Sequence, residues 1–281
     1  MKIRLLLILG ALILLSSLTV RGQHIDTLVD VGGCKLHFHI IKGKGIPILF
    51  EAGGGDDGRA WKNLLPAVAD TLGTTLITYD RPGFGKSGLD TNHTGILNEV
   101  KQLERGLKKL GYGGNIMLVA HSLGGLYATL YASRHPKAVK AAVLIDASTS
   151  CFFTDAYVTQ VELETKPKLE KFKRENLGAY YLSVNLRKNA ELMRRTPFPL
   201  NISVTDIVAE RTPVEGTPDA KRWKSCHEQF AAASPKRKSV MAYGSGHYVY
   251  KEKPALVLDA IVKEYFALVV PAVRAKEVNS K

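Results

Sequence analysis

The run Ile116-Met117-Leu118-Val119-Ala120-His121-Ser122-Leu123-Gly124-Gly125 constrains this chain more than any other stretch. Its opening residues form an apolar strand, and residues 126–133 behind it are rich in helix formers. Ser122 stands at the turn, with Ala120 two residues before it and Gly124 two after. A nucleophile elbow needs that spacing. Its serine takes a strained backbone conformation at the top of a sheet, and a larger side chain at either flank collides across the turn. The usual pattern is Gly-x-Ser-x-Gly, and Ala120 departs from it by one methyl group. An ordinary strand–turn–helix junction of an α/β domain fits these residues too, so the reading depends on what surrounds it.

Strand and helix signals alternate from Asp26 onward. Residues 27–31 and Lys35–Ile41 are joined through Gly32-Gly33 and read as a β-hairpin. In the second strand Leu36, Phe38 and Ile40 alternate with Lys35, His37 and His39, which puts both histidines on one face, expected to be solvated. Apolar strands are predicted at 46–50, 74–79, 139–145 and 202–208, with a short one at 239–242. Helical spacing covers 61–72, 96–110, 219–233 and 254–268, the last with Pro254 in its first turn. Continuous apolar strands separated by helices imply a parallel sheet covered on both faces. Residues 151–199 break the pattern: they are helical, polar and charged, with no strong strand. They read as a helical cap inserted between core segments 23–150 and 200–281.

The first residues read as a signal peptide. Lys2 and Arg4 precede a run, 5–20, that is apolar apart from Ser16, Ser17 and Thr19, and Gly22 offers a small residue for cleavage before Gln23. The expected location is therefore secreted or periplasmic, with no stable membrane insertion once residues 1–22 are removed. An uncleaved anchor is the other reading, although the run is short for a membrane span. The formal net charge is +13, and Lys2, Arg4 and Arg21 contribute three of those charges. No Arg/Lys block interleaved with aromatics appears, which favours a solvated basic face over a nucleic-acid site. Cys34, Cys151 and Cys226 are an odd number at long spacings, neither a disulfide framework nor a metal pattern. Packed core cysteines are the default, and which pair would bridge in an oxidising compartment stays open. There is no His-x-x-x-His and no Cys-x-x-Cys, so no metal is expected.

Four separated features make the chain resemble the α/β-hydrolase family. They are the glycine-rich turn after Phe50, the Tyr79-Asp80-Arg81-Pro82-Gly83-Phe84-Gly85-Lys86-Ser87 turn, the Ala120-to-Gly125 elbow, and Gly244-Ser245-Gly246-His247. They stand in the family's order and at its spacing, and cover nearly all of the chain beyond residue 22. The resemblance implies a mostly parallel eight-stranded sheet with helices on both faces and a helical cap insertion. It also implies Ser122 as nucleophile, His247 as its base, and an acid between them in the sequence. Two positions qualify for the acid. Asp146 directly ends the strand 139–145, and Glu210 follows the strand 202–208 at the family's commoner location, though in an Ala-Glu-Arg-Thr-Pro context without the usual glycine. Asp146 is preferred, Glu210 is the alternative, and Asp206 lies within its strand and is set aside. The oxyanion-hole donors would be the backbone N–H groups of Leu123 and Gly54, with Gly53 or Gly55 open in place of Gly54.

The remaining readings are bland. His121 is expected to pack or line the site, and the turn from Arg81 to Gly88 to be structural, with Arg81 bonding nearby carbonyls. Trp61 and Trp223 are expected to pack. His24, His37, His39, His93, His135 and His227 are given no catalytic role. The activity implied is hydrolysis of a small ester, amide or related bond through an acyl-enzyme, carboxylesterase-like rather than peptidase-like. It needs a small-molecule substrate, no organic cofactor and no nucleic acid. A ligand-binding protein of the same fold with little turnover is the alternative. Dehalogenation needs a carboxylate nucleophile, which Ser122 excludes. The cap aromatics Phe152, Phe153, Tyr157, Phe172, Tyr180 and Tyr181 either line an apolar pocket or pack the cap onto the sheet.

Overall fold

The hairpin is formed by β1 (His24–Asp30) and β2 (Lys35–Ile41), paired antiparallel from His24 opposite Ile41 to Asp30 opposite Lys35. β3 (Ile48–Glu51), β4 (Leu76–Tyr79), β5 (Ile116–His121), β6 (Val139–Ile145), β7 (Ser203–Ala209) and β8 (Arg237–Ala242) complete one sheet. Its order is β1-β2-β4-β3-β5-β6-β7-β8, and from β4 onward every pairing is parallel. The computed structural model describes residues 23–279, so the predicted signal peptide lies outside it. Among the described residues no helix is long and apolar enough to cross a membrane.

The helices of the core are α1 (Leu65–Leu72), α2 (Ile96–Lys109), α3 (Gly124–Arg134), and then, beyond the cap, α8 (Asp219–Ala232), α9 (Val249–Glu252) and α10 (Pro254–Asn279). Two apolar clusters lie on opposite faces of the sheet. One joins α2, α3 and α8 through Leu103, Leu130 and Trp223, and the other joins α1 and α10 through Val68 and Ile261. Parallel strands covered on both sides must be apolar throughout, and β3, β4 and β5 are buried at every residue.

Between β6 and β7 the chain is helical. A 3-10 turn (Ser150–Phe152) leads into α4 (Asp155–Thr165), a second 3-10 turn (Lys166–Lys168), α5 (Leu169–Glu175), α6 (Leu177–Val184) and α7 (Leu186–Arg194). Thr154 caps α4 by accepting from the Tyr157 N–H, and Asn176 caps α6 by accepting from the Ala179 N–H. α6 lies against the Gly83 turn so closely that a Cβ on Gly83 would sit 2.8 Å from the Gly178 backbone. Phe152 and Phe153 are buried, and Phe152 packs on Trp223 with ring centroids 4.8 Å apart, so these two hold the cap to the core.

Four expectations change. The helix predicted over 61–72 is split into a 3-10 turn (Gly58–Trp61) and α1, whose first turn holds Pro66, a residue that cannot donate to a preceding helical turn. The final helix runs past residue 268 to Asn279. His37 is buried at 7% exposure rather than solvated, because the turn after β4 folds over its face. Its ring bridges Asp80 Oδ2 and Asp26 Oδ1, each at 2.9 Å, and its backbone N–H donates to Ser87 Oγ. Finally, Cys151 and Cys226 form a disulfide that ties the start of the cap to α8, and Cys34 is free, so two of the three cysteines are not simple core residues.

Candidate active site

The sheet order reverses at β3. The chain leaves β3 for β4 on one side and returns to β5 on the other, which opens a crevice at the C-terminal strand ends. Ser122 leaves β5 there with φ 52°. The elbow is fixed from three directions. The Ser122 N–H donates to Ile145 O at 3.2 Å, and Ser122 O accepts from both Gly125 N and Ser148 N at 2.8 Å. Gly124 is needed at its place because a Cβ there would lie 2.5 Å from Ala52 O and 2.7 Å from Glu51 O. The clash is with the neighbouring β3 exit, not only across the turn itself.

His247 reaches this point from the loop after β8. Its Nε2 is 2.8 Å from Ser122 Oγ and its Nδ1 is 2.6 Å from Asp146 Oδ2. With the Nδ1–H donated to the carboxylate, Nε2 is the atom left to accept from the serine hydroxyl. Asp146 leaves β6 with φ 41° and is fully buried. Aspartate is one of the few side chains that tolerate this left-handed region. Its backbone N–H donates to Ile207 O at 2.6 Å, and its Oδ1 accepts from Ala209 N at 3.1 Å and from Trp223 Nε1 at 2.9 Å. The carboxylate therefore has a donor on every side that matters for its orientation. Glu210 is exposed instead and accepts from Gly244 N at 2.8 Å, a bond that braces the histidine loop.

The glycine-rich turn after β3 lies beside the elbow. A Cβ on Gly54 would sit 3.3 Å from the Leu123 side chain, so the turn packs against the residue that follows Ser122. Among the described residues neither the Gly54 nor the Leu123 N–H has a hydrogen-bond partner. Arg81 holds the turn from beneath. Its guanidinium donates to Glu51 Oε1 at 2.9 Å, to Ala52 O at 2.6 Å and to Gly53 O, and it lies 4.9 Å from the Tyr127 ring. Burial pushes the Glu51 carboxyl up to about 7, against the pull of Arg81 and of the Tyr79 hydroxyl that donates to it.

His121 connects the two loops. It is buried, its Nε2–H donates to His247 O at 3.0 Å, and its ring packs 4.6 Å from the His247 ring. Burial pushes its pKa down to about 3, helped by the nearby His247, so the ring is neutral near neutral pH. Its Nδ1 faces the Gly53 backbone, where an added Cβ would come within 2.8 Å. The predicted packing role thus includes a hydrogen bond that fixes the histidine loop.

Sequence reasoning missed what α8 supplies. Trp223 was expected only to pack, yet it is a donor to Asp146. His227, four residues on, carries a hydrogen bond from its Nδ1 to Asp206 Oδ2 at 2.8 Å behind the same carboxylate. The spacing of Trp223, Cys226 and His227 on one helix face was legible, but nothing in it named Asp146 as their target.

A family model described as the alpha/beta hydrolase fold matches residues 46–201. The chain is 27% identical over 244 residues to the uncharacterised protein YqjL of Bacillus subtilis, covering 86% of this chain and 92% of that one. It is 30% identical over 126 residues to the biotin biosynthesis bifunctional protein BioHC of Teredinibacter turnerae, covering 44% of this chain and only 21% of that much longer protein. Among solved structures, a thermophilic esterase from Thermogutta terrifontis superposes with a TM-score of 0.63 at 19% identity, over 88% of this chain and 99% of that one. That identity carries the fold alone. With the matching family model, an eight-stranded mostly parallel sheet and a serine at the turn after its fifth strand, the chain belongs to the α/β-hydrolase fold family.

Proposed function

We propose that the protein is a serine hydrolase that cleaves a small ester, amide or related bond through an acyl-enzyme, with Ser122, His247 and Asp146 as its triad. The observation that carries the reading is the unbroken line of hydrogen bonds from Ser122 Oγ through His247 to Asp146 Oδ2. Ser122 Oγ attacks the substrate carbonyl and passes its proton to His247 Nε2. Asp146 holds the imidazole in the tautomer that can accept this proton and stabilises the imidazolium that forms. The backbone N–H groups of Gly54, whose turn packs on the Leu123 side chain, and of Leu123, directly after the serine, are the donors for the developing oxyanion. His247 then returns the proton to the leaving group. Water enters, attacks the acyl carbon and gives a proton to the same histidine; the acyl–Oγ bond then breaks, His247 returns that proton to Ser122 Oγ, and the acid leaves.

None of these steps calls on a metal or an organic cofactor. Export to the periplasm or outside the cell, read from residues 1–22, belongs to the same proposal. An ester is the preferred substrate on the frequency of that chemistry in the family.

The test is labelling with a fluorophosphonate probe, followed by an ester panel of graded acyl length on the chain from Gln23 onward. Labelling of the wild type and none of Ser122→Ala is the expected result. A folded wild type that takes no label and turns over no ester would leave a ligand-binding protein as the better reading.

A further inference from the structure

Behind the Asp146 carboxylate lies a second buried histidine–carboxylate pair that the hydrolytic steps above do not use. His227 on α8 is 2% exposed and Asp206 on β7 is fully buried. His227 Nδ1 is 2.8 Å from Asp206 Oδ2, and its other nitrogen, Nε2, faces Asp146 Oδ1 at 3.8 Å. Among the described residues His227 Nε2 has no hydrogen-bond partner. Asp146 Oδ1 is already occupied by Trp223 and Ala209, so Nε2 meets it as a neighbouring charge and not as a third donor.

We propose that His227 is a positioning residue for the Asp146–His247 pair, pinned by Asp206 so that its Nε2–H faces Asp146 and keeps that carboxylate ionised. The proposal rests on the serine-hydrolase reading of the triad. Its physical basis is charge balance in a dry site. Two carboxylates buried close together cannot both stay ionised without a countercharge, since desolvation and mutual repulsion each favour protonating one. A protonated Asp146 would be of no use to the imidazolium formed on His247. One proton on His227 serves both carboxylates at once.

The surroundings agree with a charged ring. Burial opposes the imidazolium, but the Asp206 carboxylate, its hydrogen bond and the Asp146 carboxylate outweigh it and raise His227. The charged groups that face the pair are Asp206 from β7, Asp146 from the end of β6, Arg237 from β8 on the far side of Asp206, and His247 beyond Asp146. Arg237 spends its two terminal nitrogens on Phe230 O and Phe198 O. From the cap side the contact is the Cys151–Cys226 disulfide, which does not titrate and anchors α8 one residue before His227.

Without the His227 cation the two carboxylates compete for a proton, and Asp146 no longer supports the imidazolium on His247. His227→Gln is therefore expected to lower plateau turnover and to move the acidic limb of the kcat/KM profile downward by about half a pH unit or more. The paired variant His227→Gln with Asp206→Asn removes the competing carboxylate, leaves Asp146 ionised, and is expected to return the limb to the wild-type position; it serves also if His227→Gln alone does not fold. A limb of His227→Gln that stays in place or moves up, or a paired variant whose limb remains displaced, would overturn the proposal.

A second readout is free of turnover. In Ser122→Ala protein, 15N spectra of the imidazoles near neutral pH are expected to show protons on both His227 nitrogens, and a neutral His227 ring would overturn the proposal as well. Probe labelling of the wild type separates the two levels. No label sinks the hydrolase reading itself, whereas label with an unmoved limb sinks only the role of His227.

Discussion

Among the described residues Ser122 and Asp146 are the non-glycine residues with left-handed backbones, at φ 52° and 41°, and they leave neighbouring parallel strands side by side. The Ser122 N–H is bonded to Ile145 O, the residue before Asp146. Strain of this kind persists only where surrounding structure over-determines it. Here the two strained residues brace each other, so the proposed nucleophile and the proposed acid are set by one local arrangement of β5 and β6.

The carboxylate that serves His247 can be identified by amide substitution. Asp146→Asn keeps a side chain that tolerates the left-handed backbone, so the fold is expected to survive. Turnover on the best ester is expected to fall by about 10⁴, because the amide favours the wrong imidazole tautomer. Glu210→Gln, which touches only the Gly244 N–H, is expected to leave turnover nearly unchanged. The opposite pattern, at matched melting behaviour, would move the acid to Glu210.

Gly124→Ala tests the contact between the elbow and the β3 exit. Its methyl would meet Ala52 O at 2.5 Å, so either the turn carrying Gly54 or the elbow must shift. A cost of about 1–3 kcal/mol in stability is expected, with a larger proportional fall in kcat than in substrate affinity. Gly114→Ala is the control, since a Cβ there meets nothing within 4 Å. Urea titration and steady-state kinetics on both variants decide it.

The buried His121 makes stability depend on pH. Its folded value near 3 lies below its ordinary 6.5, so between those values the unfolded chain binds the extra proton. Its contribution is therefore complete above about 6.5 and is lost progressively as pH falls toward about 3. His121→Gln is expected to flatten the fall in urea midpoint between about pH 7 and about pH 4, while lowering turnover through the lost bond to His247 O. A variant with an unchanged slope would show that other groups dominate the acid limb.

The Cys151–Cys226 bridge spans 75 residues and encloses the whole cap. Chain entropy for a loop of that length gives roughly 4 kcal/mol, and measured bridges more often contribute about 2–4. Cys151→Ser, or mild reduction of the wild type, is expected to lower the denaturation midpoint by a corresponding amount. It also loosens α8, which carries Trp223 against Asp146, so kcat should fall along with stability. Melting curves and ester turnover with and without reductant measure both.

The elbow, the order of the glycine-rich turns and the position of His247 were legible in the sequence because each is a local demand. A strained serine needs small flanking residues within a few positions, and a parallel sheet needs continuous apolar strands. Those signals fixed the fold family and brought Ser122 and His247 forward. The strand-end position brought Asp146 forward but left Glu210 open beside it, and the disulfide, the burial of His37 and the place of Trp223 and His227 carried no such local signature. Asp146 and His247 stand 101 residues apart, and Trp223 reaches the same carboxylate from 77 residues away. Polar side chains in a dry interior take whichever partner the packing of strands and helices brings within about 3 Å. That choice is made by the crossing of β6, β7, α8 and the loop after β8, which no single stretch of the chain encodes.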